Sequence, residues 1–187
     1  MRDLIVTENI TIDGVIDAAG DWFGPAGTGD ADQSDMIAAI AEQREAADAF
    51  LTGRVTFEAM RSYWPKQVGD DETGVAEYLD RVPKYVVSST LEDPAWDPTT
   101  VLRGPLEDEI AALKAARGAD IVVTGSITLV RDLVAKGLVD EYRLFVYPVV
   151  LGRGARLFAD ATEVPPLGLA ETRRFRSGVV LLRYRAR

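Results

Sequence analysis

The sequence has 187 residues, which suits one well-filled core and is cramped for two, since single domains commonly span roughly 100 to 200 residues. Its 47% hydrophobic and 27% charged residues exclude general disorder. With 21 basic against 30 acidic side chains the formal charge is -9, a sign that repels nucleic acid, although a few focused cations and backbone N–H groups can still hold an anionic cofactor.

The chain contains no Cys and no His. Disulfides, thiolate nucleophiles and Cys-based zinc sites are thereby removed, together with the commonest metal ligand and general base. Asp120, Asp132 and Asp140 make no metal-ligand pattern, and no metal is expected. The start, MRDLIVTENI, carries acids close to its first apolar run and fits neither a secretory signal nor a membrane span, so a cytoplasmic location is expected.

In chain order, Leu4–Val6 predicts a buried strand, with Asp13-Gly14 as the turn signal behind it. Gly, Asp and Ala dominate Asp17–Asp30 and predict a long loop carrying Trp22 and Phe23, the first place to look for a substrate lid. Ile37, Ile40, Ala41 and Ala47 predict a helix over 32–48 with Asp32 or Ser34 as N-cap. Ala49–Leu51 reads as a strand ending at Gly53, and a short helix through Val55, Phe57 and Met60 follows until Trp64-Pro65 stops it. A helix over Thr73–Arg81 precedes strands at Tyr85–Val87 and Thr100–Leu102, and Leu106–Arg117 predicts an amphipathic helix with Gly118 as C-cap. Ile121–Val123 is a strand; Leu129, Val130, Leu133 and Val134 form a helix face closed by Gly137 after Lys136; Val139–Val150 reads as a long strand. Two antiparallel strands joined through Ser177-Gly178 end the chain, the last over Val179–Tyr184. The pattern predicts one α/β domain over residues 1–187, three layers built on a mixed, mostly parallel sheet with an antiparallel C-terminal hairpin.

Ile121–Ser126 followed by a helix places a glycine turn at a helix N-terminus, where free N–H groups and the helix dipole favour phosphate. Gly125 and Ser126 equally suit a plain tight turn and cap. Leu51–Thr56 repeats the arrangement and adds Arg54 and Thr56 as a cation and a hydroxyl, although Arg54 also suits a surface ion pair. Two such turns side by side at a sheet's carboxyl edge would clasp a dinucleotide. Ser88, Ser89 and Thr90 offer hydroxyls after a third strand, or ordinary loop chemistry. Gly152-Arg153-Gly154 has no following helix and is read as a turn between strands rather than a Rossmann fingerprint.

The segments IVTENITIDGVI, FLTGRVTFEAM with YWP behind it, KYVVSST and DIVVTGSITLVRDLVAKGLVDEYRLFVYPVVLGRGARLF together resemble bacterial dihydrofolate reductase-like proteins. The group they are most similar to is related to the reductase domain of the bifunctional riboflavin-biosynthesis deaminase/reductase. This resemblance implies an NADPH-dependent reductase in which Gly53, Arg54 and Thr56, then Gly125, Ser126 and Leu129, hold the cofactor, with Ser88–Thr90 on its adenosine side. It places Asp13, Gly14 and Val15 beside the nicotinamide, and it implies an acid on the first helix, Asp35 before Asp32. Deamination is not expected, because a zinc deaminase needs His and Cys ligands that this chain lacks.

Hydride transfer asks the protein mainly to orient two rings, with the proton delivered by a carboxylic acid or water, so Asp13 and Asp35 are the catalytic candidates. Trp22 or Phe23 is expected to stack on a flat heterocycle, with Trp22 equally suited to filling the core. The resemblance favours a pterin or a phosphoribosylaminouracil; the latter requires a second cationic patch, for which Arg153 and Arg156 are the candidates. If neither faces the cleft, a different small carbonyl or imine takes its place. The rival readings are a nucleotide-binding or dimerisation module without turnover and a flavin-binding protein. A homodimer is implied by the resemblance, and Val179–Leu182 is either its pairing strand or internal.

Overall fold

The computed structural model describes residues 1–17, 22–23, 31–71, 73–158 and 166–187. Its elements are β1 (Leu4–Thr11), α1 (Ser34–Glu45), β2 (Ala47–Gly53), α2 (Arg54–Tyr63) continued by a 3-10 turn (Trp64–Lys66), α3 (Val75–Arg81), β3 (Lys84–Val87), β4 (Thr99–Leu102), α4 (Leu106–Ala115), β5 (Asp120–Val123), α5 (Ile127–Ala135), β6 (Glu141–Tyr147), β7 (Leu167–Arg174) and β8 (Val180–Ala186). The strands form one sheet in the order β4-β3-β2-β5-β1-β6-β8-β7. All neighbours from β4 to β6 are parallel, and β8 runs antiparallel to both β6 and β7.

Side-chain alternation along the strands separates the two faces. Leu4, Val6, Leu51, Ile121, Val123 and Leu144 pack with Ile110 of α4 and Leu129, Val130 and Leu133 of α5. On the opposite face two smaller clusters form: Phe145 and Tyr147 with Met36 and Ala39 of α1, and Phe50 and Val86 with Phe57 of α2 and Leu79 of α3. The expected three layers follow.

Several boundaries move for local reasons. β1 runs past Val6 to Thr11 because its polar residues still pair with β6 along the whole register. The N-cap of α1 is Gln33, not Asp32 or Ser34, although Asp32 accepts the Ser34 N–H at 2.9 Å. α4 ends at Ala115 with Ala116 as its C-cap, so Gly118 lies beyond the cap. β6 stops at Tyr147, before Pro148, which has no N–H for a ladder. Gly137 closes α5 as expected: at φ +63° it donates to Val134 O, and Leu138 donates to Leu133 O, both at 3.0 Å, which satisfies two of the last carbonyls. Val179–Leu182 is internal, because β8 sits between β6 and β7 and Val179 and Leu181 are buried. No helix among the described residues is long and apolar enough to cross a membrane.

Leu133, fully buried under the sheet, tests this packing. Leu133→Ala is expected to lower unfolding stability by about 3 kcal/mol, read from the urea midpoint at unchanged slope.

Candidate functional site

β2 and β5 are neighbours, so the turns leaving them lie side by side at the carboxyl edge. The Gly53 N–H donates to Ser126 Oγ at 2.7 Å, and the Ser126 N–H donates to Thr56 Oγ1 at 2.9 Å. The hydroxyls of Thr52 and Ser126 share a third bond of 3.0 Å. Glycine permits this approach. A Cβ on Gly53 would stand 3.2 Å from Ser126 Oγ, and one on Gly125, at φ +64°, would stand 3.3 Å from Thr56 Cγ2.

The hydroxyls of Thr56 and Ser126 are thus occupied in latching the turns. Neither α2 nor α5 has a side chain capping its first turn, which leaves N–H groups and two positive dipole ends at one edge. Arg54 stands at the start of α2, paired with Glu58 at 2.9 Å, both side chains well exposed. Such an i,i+4 pair is worth only about 0.3–0.5 kcal/mol, so Arg54 is free to turn toward an anion.

Beside these turns, on the face covered by α1, α2 and α3, lies a cavity of about 310 Å³. Thr7, Asn9 and Val122 of the sheet and Thr124 just beyond β5 line it together with Gln43 and Arg44 of α1, Trp64 and Tyr78. Thr124 immediately precedes Gly125, so the cavity reaches the latched turns. Among the described residues four buried side-chain polar atoms have no hydrogen-bond partner, and three of them, Thr7 Oγ1, Arg44 Nη1 and the Tyr78 hydroxyl, belong to residues lining this one cavity.

Other expected residues are engaged elsewhere. Asp13 accepts from the Thr11 hydroxyl and from the N–H groups of Leu151 and Gly152, and these bonds, Thr11 foremost, hold its carboxyl at about 2. It is ionised near neutral pH and has no proton to donate. Arg156 donates to the Asp13 carbonyl at 3.0 Å, and Arg153 is exposed; neither lines the cavity. Val15 is buried and bridges to Arg156. Asp35 accepts the N–H of Arg176 in the β7–β8 turn, away from the cavity lining. Trp22 is buried, donates its indole N–H to Asp17 O and meets Phe23 and Tyr147 edge-on, which makes it a core plug. The rest of the Asp17–Asp30 loop, apart from Asp17 and Phe23, lies outside the described residues. Ser88 Oγ accepts the N–H groups of Thr90 and Leu91, Ser89 and Thr90 are exposed, and Leu129 is a core residue packed near Gly53.

The RibD C-terminal domain family matches residues 2–181. The chain belongs to the RibD C-terminal domain family. YyaP of Bacillus subtilis (strain 168), whose name assigns no function, is 32% identical over 98% of this chain and 94% of its own. Among solved structures, a Shewanella sp. PV-4 protein named for riboflavin biosynthesis superposes with a TM-score of 0.71 at 21% identity, covering 99% of both chains. The Thermotoga maritima diaminohydroxyphosphoribosylaminopyrimidine deaminase/5-amino-6-(5-phosphoribosylamino)uracil reductase gives 0.67 at 17% identity, with all of this chain covering 57% of that one. The fold is the RibD-type dihydrofolate reductase-like one.

In this RibD C-terminal domain a residue outside the sequence-based expectations stands under the Gly125 turn. Glu8 is buried on β1, and its Oε1 accepts the Gly125 N–H at 3.0 Å. Burial pushes its carboxyl up to about 8, with the Gly125 bond pulling the other way. The signal was available: Leu4, Val6, Glu8 and Ile10 share one strand face, and a lone acid among apolar residues there marks a special site.

Because Glu8 is protonated in the folded state and ionised in the unfolded chain between about pH 4.5 and 8, the unfolded state binds fewer protons there. Stability therefore falls as pH rises through that window and levels above it. Glu8→Gln, which keeps an acceptor for the Gly125 N–H, is expected to remove a dependence of at most about 5 kcal/mol from urea midpoints measured at a series of pH values.

Proposed function

We propose that this RibD C-terminal domain is an NADPH-dependent reductase acting on a compact substrate held in the cavity beside Thr124. The observation that carries the reading is the pair of latched, uncapped helix starts beside a cavity lined by three residues that carry unpartnered polar atoms. The fit to a dinucleotide is good: N–H groups of α2 and α5 suit phosphate oxygens, and Arg54 is a cation bound only by a weak surface pair. When bound, NADPH supplies the hydride.

The chain's own part is positioning. The Gly53–Ser126 and Ser126–Thr56 bonds fix the two phosphate-binding edges relative to the cavity, and Trp64, Val122 and Phe145 give it apolar walls. Asp13 acts by tying the β1 end to the Gly152 turn, and no Asp or Glu is among the described residues lining the cavity. The proton accordingly comes from water in this reading. The phosphoribosylaminouracil substrate gives way to a small carbonyl or imine, because Arg153 and Arg156 do not line the cavity. Deamination has no place in it, since the chain has neither His nor Cys. A homodimer, if formed, pairs through a surface other than the internal β8, and the exposed Leu169 of edge strand β7 is its natural contact.

The absence of an acid among the described cavity residues favours, as second reading, a nucleotide-binding module without turnover. NADPH fluorescence titration tests what the two readings share. Arg54→Ala is expected to weaken NADPH binding about tenfold, a loss of about 1.4 kcal/mol, with unchanged thermal stability. Wild-type protein that binds NADPH no better than the variant overturns the cofactor site. Consumption of NADPH with small carbonyls or imines supports the enzyme, and tight binding without consumption supports the module.

A further inference from the structure

The cavity's polar atoms are unevenly distributed. Its lining is largely apolar, with Phe50, Met60, Trp64, Leu79, Val122 and Phe145 among its walls, and its one charged residue among the described ones is Arg44. The Arg44 Nη2 donates to Thr73 O at 2.8 Å, while Nη1 is buried without a partner. No carboxylate among the described residues forms an ion pair with it; Asp48, on β2, is bound instead to Arg2 and to the Ala119 N–H. The Tyr78 hydroxyl is also buried and unpartnered, close enough for the opposing charges of Arg44 and Asp48 to act on it, and Arg44 and Tyr78 also line a second pocket with Glu45 and Asp48.

A buried donor left without an acceptor costs about 1–3 kcal/mol, more when it is charged, and native proteins keep few of them. Two together, one cationic and one a neutral phenol, form a receptor for an oxygen carrying negative charge. The third orphan, Thr7 Oγ1, lies on the sheet floor of the same cavity. Size sets a further limit: about 310 Å³ is at the bottom of the roughly 300–1,000 Å³ range of small-molecule sites. A phosphate dianion would call for more than one guanidinium, and Arg44 stands alone here among the described residues.

We propose that this cavity selects a compact, flat, non-phosphorylated carboxylate, whose anionic oxygens are received by Arg44 Nη1 and the Tyr78 hydroxyl while its ring lies between Trp64 and the floor residues Thr7 and Val122. Arg44 and Tyr78 are then specificity residues of the substrate site. This inference rests on the reading of the cavity as the substrate site, and it is independent of which cofactor the helix starts hold.

The test uses the full chain without NADPH, with quenching of Trp fluorescence as readout and three probes of one shape. The probes are 2-naphthoate, 2-naphthalenemethanol and 2-naphthyl phosphate. The carboxylate is expected to bind at least tenfold more tightly than the alcohol and no more weakly than the phosphate. Tyr78→Phe is expected to weaken the carboxylate about fivefold and leave the alcohol unchanged, and Arg44→Met to bring the carboxylate to the level of the alcohol. Tyr78→Phe should melt at or above the wild-type temperature, because it removes only a buried polar atom that has no partner in the protein, whereas Arg44→Met also loses the bond to Thr73 O. Equal affinity for carboxylate and alcohol in the wild type, or carboxylate binding untouched by Tyr78→Phe, overturns the proposal. Should Arg44→Met not fold, the Tyr78→Phe comparison alone decides. Failure here leaves NADPH binding and its Arg54 dependence standing, and failure there leaves this selectivity standing.

Discussion

The reciprocal bond between two βα turns, Gly53 N–H to Ser126 Oγ and Ser126 N–H to Thr56 Oγ1, organises the functional edge of this molecule. It exists because β2 and β5 are adjacent, and it closes only because Gly53 has no Cβ and Gly125 takes a left-handed φ. Its consequence is chemical. The Ser126 hydroxyl, which stands at the start of α5, is turned sideways to Gly53, and α2 begins at Gly53, which has no side chain, so two helix starts reach the edge with their N–H groups uncapped. Rigid donors in fixed relation to a neighbouring cavity are what orientation of two reactants requires.

The buried charges divide into those that hold the fold and those that border the site. Glu141 is fully buried among Arg143, Arg183 and Arg185, a cluster that ties β6 to β8. Lys84 is buried as well, donating at 2.7 and 3.1 Å to the carbonyls of Leu79 and Val82 at the end of α3 and lying over the Trp96 ring at 4.6 Å. Desolvation lowers its ammonium to about 8, against the opposing pull of Asp80 and Asp97. These groups are satisfied within the protein. Arg44 and Tyr78 are not, and that contrast separates a structural ion from a recognition one.

Membership in the RibD C-terminal domain family gives the fold, while the cationic residues set the character of this chain's cavity. Arg156 is used to brace the Asp13 loop, Arg153 faces solvent, and the cation that reaches the cavity comes from α1. Ligand chemistry can differ within one backbone arrangement because it depends on which side chains enter the cavity, not on the order of strands.

Local pattern alone determined the succession of strands and helices, since period-2 and helical apolar spacings, glycine turns and prolines act over a few residues; the Gly137 helix end and the Gly53 and Gly125 turns were legible on that basis. The sequence also carried the three-layer class, through strands and helices that alternate before a final hairpin. Strand order was a tertiary matter, and with it the latching of Thr56 to Ser126, the internal place of β8 and the burial of Glu8 beneath Gly125. Asp13 and Asp35 read as acids in sequence because a carboxyl's role depends on its partners, and apart from Thr11 beside Asp13 the partners that place them, Leu151, Gly152 and Arg176, lie more than a hundred residues away. Arg44, Tyr78 and Thr7 carried no local signal. Each is an ordinary residue of a helix or strand, and only the packing of α1 and α3 over the sheet brings the three to the lining of one cavity.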